Sequence, residues 1–292
     1  MRKVLITGID SFTGRHLSSY LTNQRYDVYG TSLSRYNDHK YKCDITKKDD
    51  VIKVLQEVKP DFLIHLSGIS FPAHGDNEEF YKVNTIGTTN ILDSIMELNI
   101  TLKKVILVSS ATVYGNQGLE VLDESLCPKP TNHYGASKYA MECLSSGYFA
   151  KIPIIITRPF NYTGIGQAEH FLIPKIVKHF KDKKETIELG NLDVSREFND
   201  ISFVCEVYKR LLECSVQNKT VNIATNDGIK LLDIINMMNE IAGYKINVKV
   251  SQAFVRKGEI KSLTGSATKL TNIIGHIKQK EFEDTLKDMF EN

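Results

Sequence analysis

The chain opens on a short β-branched run, residues 3–7, that passes straight into a glycine-spaced turn and then a helix. The turn reads Gly8-Ile9-Asp10-Ser11-Phe12-Thr13-Gly14, and the helical pattern over 12–22 offers Phe12, Leu17 and Leu21 for packing. The alternation recurs. Residues 27–32 read as a strand, 48–58 as a helix, and 61–65 as a strand entered through Pro60. A long helical stretch spans about 78–98, followed by the strand 104–109, a helix at 134–149 and a strand at 152–157. Strand and helix alternating at this pitch predict parallel βαβ units, right-handed crossovers and helices on both faces of one sheet.

The regularity degrades after Arg158. Loops with Gly164, Gly166 and Gly190 surround a helix near 171–181; a strand near 221–224, a helix at 231–241 and an extended piece at 245–250 follow. The expected fold class is α/β, a Rossmann-type doubly wound parallel sheet with a smaller C-terminal substrate-binding lobe. Residues 1–160 are assigned to the dinucleotide-binding part and 161–292 mainly to the lobe, with a segment near 197–225 returning to the sheet.

Composition narrows the setting. Lysine and arginine total 37 against 35 acidic residues. That excess is too small to point to nucleic acid or an anionic membrane. No apolar run approaches the ~20 residues that span a bilayer, and the apolar start meets Gly8 too soon for a secretory signal. Five scattered cysteines without a CxxC pair argue against a disulfide scaffold or zinc ribbon, so a cytoplasmic protein is expected. No HExxH or similar spacing suggests a metal.

Glycine suits the first turn because it tolerates positive φ and lets a pyrophosphate approach the backbone, while the helix N-terminus offers unpaired N–H groups. A dinucleotide site is therefore expected at Gly8, Ser11, Phe12, Thr13 and Gly14, against the alternative of an ordinary tight turn. The segment Gly30 to Arg35 carries no carboxylate to hold ribose hydroxyls. Ser32 and Arg35, with Arg15, suit the 2′-phosphate of NADP, unless Arg35 is simply a solvated loop residue. NADPH is favoured over NADH, with Asp44 and Ile45 beside the adenine.

Tyr134 and Lys138 stand four apart on one helix, and Ser109-Ser110-Ala111-Thr112 follows a strand at the sheet's ligand-binding edge. A phenol and a serine hydroxyl can converge there on a carbonyl oxygen. The expectation is that the Lys138 ammonium lowers the phenol from its usual pKa of ~10 by ~3 units, with Ser110 orienting the oxygen. His65, His74 and His133 read as structural or solvated.

Together these features resemble the extended short-chain dehydrogenase/reductase family of nucleotide-sugar epimerases, dehydratases and reductases, over nearly the whole chain. The resemblance implies Ser110, Tyr134 and Lys138 as catalytic residues, and Leu66, Ser67, Gly68, Asn84 and Phe160 on the cofactor side. Ser11 departs from the family's middle glycine. Segments 158–164, 171–175, 189–193, 196–200 and 256–259 are similar to the GDP-mannose 4,6-dehydratase and GDP-4-keto-6-deoxy-D-mannose reductase branches. They imply Ser70, Thr112, Asn161, Lys175, Arg196, Arg256 and Glu259 as sugar-nucleotide contacts. The Asp-Glu pair that dehydratases use for elimination is replaced by Ala111 and Thr112, which disfavours dehydration. The implied activity is reduction of a nucleotide-linked 4-keto-6-deoxyhexose, GDP before dTDP, for surface polysaccharide. The alternatives are a 4-epimerase with retained NAD and a non-catalytic nucleotide sensor. A homodimer through helices 78–98 and 134–150 is also implied.

Overall fold

The computed structural model describes residues 2–34, 38–70, 76–252 and 261–292. The first half runs β1 (Lys3–Thr7), α1 (Phe12–Asn23), β2 (Asp27–Ser32), β3 (Lys40–Lys42), α2 (Lys48–Val58) and β4 (Phe62–His65). It continues with α3 (Asn77–Phe80), α4 (Thr88–Glu97), β5 (Lys104–Val108), β6 (Val121–Leu122), α5 (His133–Ser145) and β7 (Ile154–Pro159). The second half is finer: β8 (Asn161–Thr163), α6 (Leu172–Lys181), β9 (Thr186–Leu189), β10 (Ser195–Asp200), α7 (Ile201–Glu213) and β11 (Lys219–Ile223). Then come β12 (Gly228–Lys230), α8 (Leu231–Ala242), β13 (Asn247–Val250), β14 (Ser262–Gly265), α9 (Thr268–Ile274) and α10 (Phe282–Glu291).

Seven strands form one parallel sheet in the order β11-β7-β5-β4-β1-β2-β3. Its central strands are almost continuously apolar because both faces are covered, and Val4, Leu63, Ile64, Val105 and Ile106 have no exposed surface. Each such side chain contributes roughly 1.5–3 kcal/mol by leaving water. α1 and α7 close one face. α2, α4 and α5 close the other, where α2 buries Val51, Val54, Leu55 and Val58 at helical spacing. The Rossmann-type sheet matches the expected class, and β11 returns to it beside β7.

The stretch expected as one helix is helical throughout but not uniform. A π-helical segment, Tyr81–Gly87, joins α3 to α4. The three-residue β3 is too short to leave a periodic signal. The lobe has its own core, in which α6, α8 and α10 pack against β9 and β10. A second sheet runs β12-β10-β14-β6, with β8 pairing β10. None of these five short strands was read as a strand in the sequence, because each is two to six residues long and paired across distant segments.

Candidate functional site

β1 and β4 lie side by side at the middle of the sheet, and the chain leaves them toward opposite edges. Such a reversal opens a crevice at the strand ends, where open α/β sheets bind ligands. Gly8 sits there at φ +70, and a Cβ on it would come 3.0 Å from the Ser67 backbone nitrogen. A Cβ on Gly14 would lie 2.4 Å from the Gly8 carbonyl oxygen. Ser11 has extended backbone, φ −65, and its Oγ accepts from the Gly14 N–H at 3.0 Å. It is the N-cap of α1, which explains why a glycine is not required at that position.

The crevice walls are braced from below. Thr7 Oγ1 lies 2.7 Å from His65 Nδ1 and accepts from the Ser67 N–H at 3.1 Å. His65 Nε2 meets Thr88 Oγ1 at 2.9 Å. Burial first, then the Lys138 charge, pushes His65 down to about 3, so it is a neutral brace. Thr13 Oγ1 contacts the Tyr162 hydroxyl at 2.8 Å, joining α1 to the strand that begins the lobe. Arg15 donates to the carbonyls of Asp10 and Gly166, and Lys40 pairs with Asp10 at 2.8 Å.

Tyr134 and Lys138 ride on α5, whose N-cap Asn132 accepts from the Gly135 N–H at 2.8 Å. Both are buried, at 8% and 5% exposure. Lys138 Nζ donates to the Val108 carbonyl at 2.9 Å, at the end of β5. A Cβ on Gly68 would stand 3.2 Å from Nζ, so Lys138 faces the β4 loop across the crevice. Ser110 Oγ is 2.5 Å from Thr112 Oγ1 and accepts from the Thr112 N–H at 3.2 Å. Three hydroxyls thus gather at the rim, with an ammonium one helical turn behind.

One expectation is corrected. Burial pushes the Tyr134 phenol up to about 12; a hydrogen bond with Ser110 works in the lowering direction and Tyr162 in the raising one. The ammonium does not make this phenol acidic in the free protein. Lys138 itself is pushed down to about 8 by burial, opposed by Glu142.

The remaining expected residues divide. Asn84 is fully buried in the π-helical segment. Its Oδ1 accepts from the Ile69 N–H, and its Nδ2 donates to the Ile69 carbonyl and Ser137 Oγ. It pins the 66–69 loop from the π-helical segment, and its Oδ1 lies 2.7 Å from where a Cβ on Gly68 would stand, the point that Lys138 Nζ approaches to 3.2 Å. Leu66 is half-buried against the main core and Ser32 Oγ accepts from the Ser34 N–H. Asp44 accepts from the Thr46 N–H and hydroxyl, which hold its carboxyl below the usual range against the opposing effect of burial. Ile45 is buried against Gly87. The Phe160 ring is packed among Tyr114, Ala224 and Gly265, so it is core. Asn161 and Ser70 are exposed. Lys175 donates to the Glu188 carbonyl, and Arg196 to the carbonyls of Ser195 and Lys261. Arg35, His74, Arg256 and Glu259 lie outside the described residues.

Sequence reasoning missed a buried cluster behind α5. Glu142 receives Arg158 Nε at 3.0 Å and Nη2 at 2.6 Å, and Ser109 Oγ donates to it at 2.5 Å. The signal available was an acidic residue two turns beyond Tyr134 on the same helical face. A cleft of about 450 Å³ at Asn226, Ser266 and Thr268 contains none of the expected residues. Among the described residues no group of His, Cys, Asp and Glu could hold a metal, and no helix is long and apolar enough to cross a membrane.

A family model described as GDP-mannose 4,6 dehydratase matches residues 5–289. The chain belongs to this family. A GDP-6-deoxy-D-talose 4-dehydrogenase from Aggregatibacter actinomycetemcomitans is 37% identical, covering 99% of this chain and 97% of that one. A GDP-6-deoxy-D-mannose reductase from Pseudomonas aeruginosa is 28% identical, covering 94% and 91%. The solved structure of RMD from Pseudomonas aeruginosa complexed with NADPH superposes with a TM-score of 0.88 at 25% identity, covering 100% of this chain and 98% of that one. Membership makes the chain an enzyme of the extended short-chain dehydrogenase/reductase type. Within the family named for dehydration, Ala111 is buried and Thr112 carries only a hydroxyl at the positions of the expected acid pair.

Proposed function

We propose that the enzyme reduces the 4-keto group of a GDP-linked 4-keto-6-deoxyhexose, using NADPH in preference to NADH, to give a GDP-6-deoxyhexose. One arrangement carries the reading: the Tyr134 phenol, which burial favours in its protonated form, stands beside the Ser110–Thr112 hydroxyl pair, and the direction follows from similarity to the GDP-6-deoxy-D-mannose reductase. A phenol in that state is a proton donor, which is what a ketone oxygen needs as it becomes an alkoxide. The crevice fits the cofactor, because Gly8 and Gly14 leave no room for a Cβ where a pyrophosphate would meet the N-terminus of α1. Gly8, Ser11, Phe12, Thr13 and Gly14 would hold the pyrophosphate, Ser32, Asp44 and Ile45 the adenosine, and Ser67, Gly68 and Lys138 the nicotinamide ribose. The chemistry that a bound nicotinamide supplies is hydride exchange with C4.

Tyr134 gives its proton to the C4 oxygen, Ser110 and Thr112 orient that oxygen, and Lys138 places a positive charge near the phenol as it ionises. Asn161, Lys175 and Arg196 would bind the sugar nucleotide from the lobe. The two relatives' names describe the 6-deoxy-talose and 6-deoxy-mannose series, which differ in configuration at C4. The greater identity to the first favours the talo product, destined for surface polysaccharide. Half-exposed Ile86 and Leu144, on the segments expected to meet in a homodimer, are apolar side chains that a second copy would cover.

The test supplies GDP- and dTDP-4-keto-6-deoxyhexoses with NADPH or NADH and follows reduced-cofactor absorbance, with the product's C4 configuration read by NMR. Consumption with the GDP sugar is expected. No consumption with either sugar, together with interconversion of UDP-hexoses, would replace this reading with the retained-NAD epimerase. The rate should hold near neutrality and fall as pH rises through about 8, where Lys138 loses its proton.

A further inference from the structure

The face of α5 that carries Tyr134 and Lys138 does not end with them. Glu142 follows Lys138 by one turn and is 6% exposed. Its partners come from two other elements. Arg158 reaches it from β7 through Nε and Nη2, and Ser109, the residue before Ser110, donates to Oε1 at 2.5 Å. The Arg158 guanidinium also lies over the Tyr114 ring, 4.7 Å from its centre, and its buried Nη1 has no hydrogen-bond partner among the described residues. A buried ion pair is weak evidence for stability, because desolvation of both charges offsets their attraction. Its placement is what is informative here, since one carboxylate touches the corner bearing Ser110 and faces the next turn bearing Lys138.

We infer that Glu142 is a positioning residue for the reaction: it clamps the Ser109–Ser110 corner to α5 and, balanced by Arg158, sets the net charge that Lys138 meets from behind. The ionisable groups nearest Lys138 are Tyr134 and Glu142 on its own helix and neutral His65 on β4; Arg158 on β7 stands behind Glu142 as its ion-pair partner, with Tyr114 beyond the arginine. Glu142 favours the ammonium, and Arg158 is the cation that neutralises the Glu142 carboxylate. Removing one or the other should therefore move Lys138 in opposite directions, and the loss of kcat on releasing the Ser109 contact separates this role from that of a purely structural pair.

The catalytic meaning rests on the proposed reductase reading, so the decisive measurement is made on the free protein without turnover. Lysine side chains are isotope-labelled and titrated by NMR, with Lys138 assigned through the Lys138→Met variant. Glu142→Gln should shift the Lys138 titration down by about one pH unit, and Arg158→Gln should shift it up by a similar amount. The double variant should return toward wild type. Unmoved titrations in folded single variants would overturn the inference whatever the substrate proves to be. Ser109→Ala leaves both charges paired and serves if the charge variants do not fold. It should leave the Lys138 titration in place and lower kcat about tenfold or more at unchanged KM; an unchanged kcat would sink the clamp. Absence of turnover in the wild-type enzyme counts against the reductase reading alone.

Discussion

The proposed site has two walls of opposite character. On the main-sheet wall, Tyr134 and Lys138 are buried, Lys138 is tied to the end of β5, and the facing loop is pinned through Asn84. On the proposed lobe wall, Asn161 is exposed, and Lys175 and Arg196 rest on backbone carbonyls. The groups suited to moving a proton are fixed by packing before any ligand arrives, whereas those suited to recognising a sugar nucleotide sit where sequence can vary without disturbing the core. That division follows from physical demands. Proton transfer needs heavy-atom distances near 3 Å. Recognition of a phosphate depends on the charge and reach of flexible side chains.

The comparison breaks most decisively at Tyr134. Tyr134→Phe removes one oxygen from a ring that still packs on Phe80, so thermal stability should stay near wild type. Loss of the only proton donor proposed for C4 should lower kcat about 10³-fold with little change in KM. Steady-state rates with the GDP sugar check this. A variant that stays near wild type in rate would mean that another group is the acid. On the other wall the pattern should invert. Arg196→Ala should raise KM for the sugar nucleotide about tenfold, roughly 1.4 kcal/mol, and leave kcat within about twofold. A fall in kcat alone would show that Arg196 shapes the reacting groups instead.

The same division governs what the amino-acid sequence discloses. The main-sheet wall is legible because its signals are local: a strand followed at once by spaced glycines, a Tyr and Lys one turn apart, two serines at a strand end. The lobe's five short strands are not, since β8, β12 and β14 all pair β10 from segments far apart in the chain, and no window of sequence contains both partners. Two readings differ from the structure for identifiable reasons. Phe160 follows a strand end but packs on Gly265, whose missing side chain makes room for the ring. The Tyr134 phenol is expected to be acidified by its lysine, yet burial pushes it up.

The smallest effect tests whether departure from a motif matters when the backbone is preserved. Ser11 occupies the place of a glycine, but its φ of −65 demands none, and its Oγ caps α1 through the Gly14 N–H. Ser11→Ala should cost about 1 kcal/mol of unfolding free energy because it leaves that amide without its partner. Ser11→Gly should cost only a few tenths, since glycine is a tolerable N-cap that lets water reach the amide. Both values are read from denaturant unfolding, and NADPH affinity should be retained in the glycine variant because the turn's geometry is unchanged. Equal costs for the two variants would mean that the serine is there for some reason other than capping. The crevice wall would then owe its shape to contacts beyond the first turn of α1.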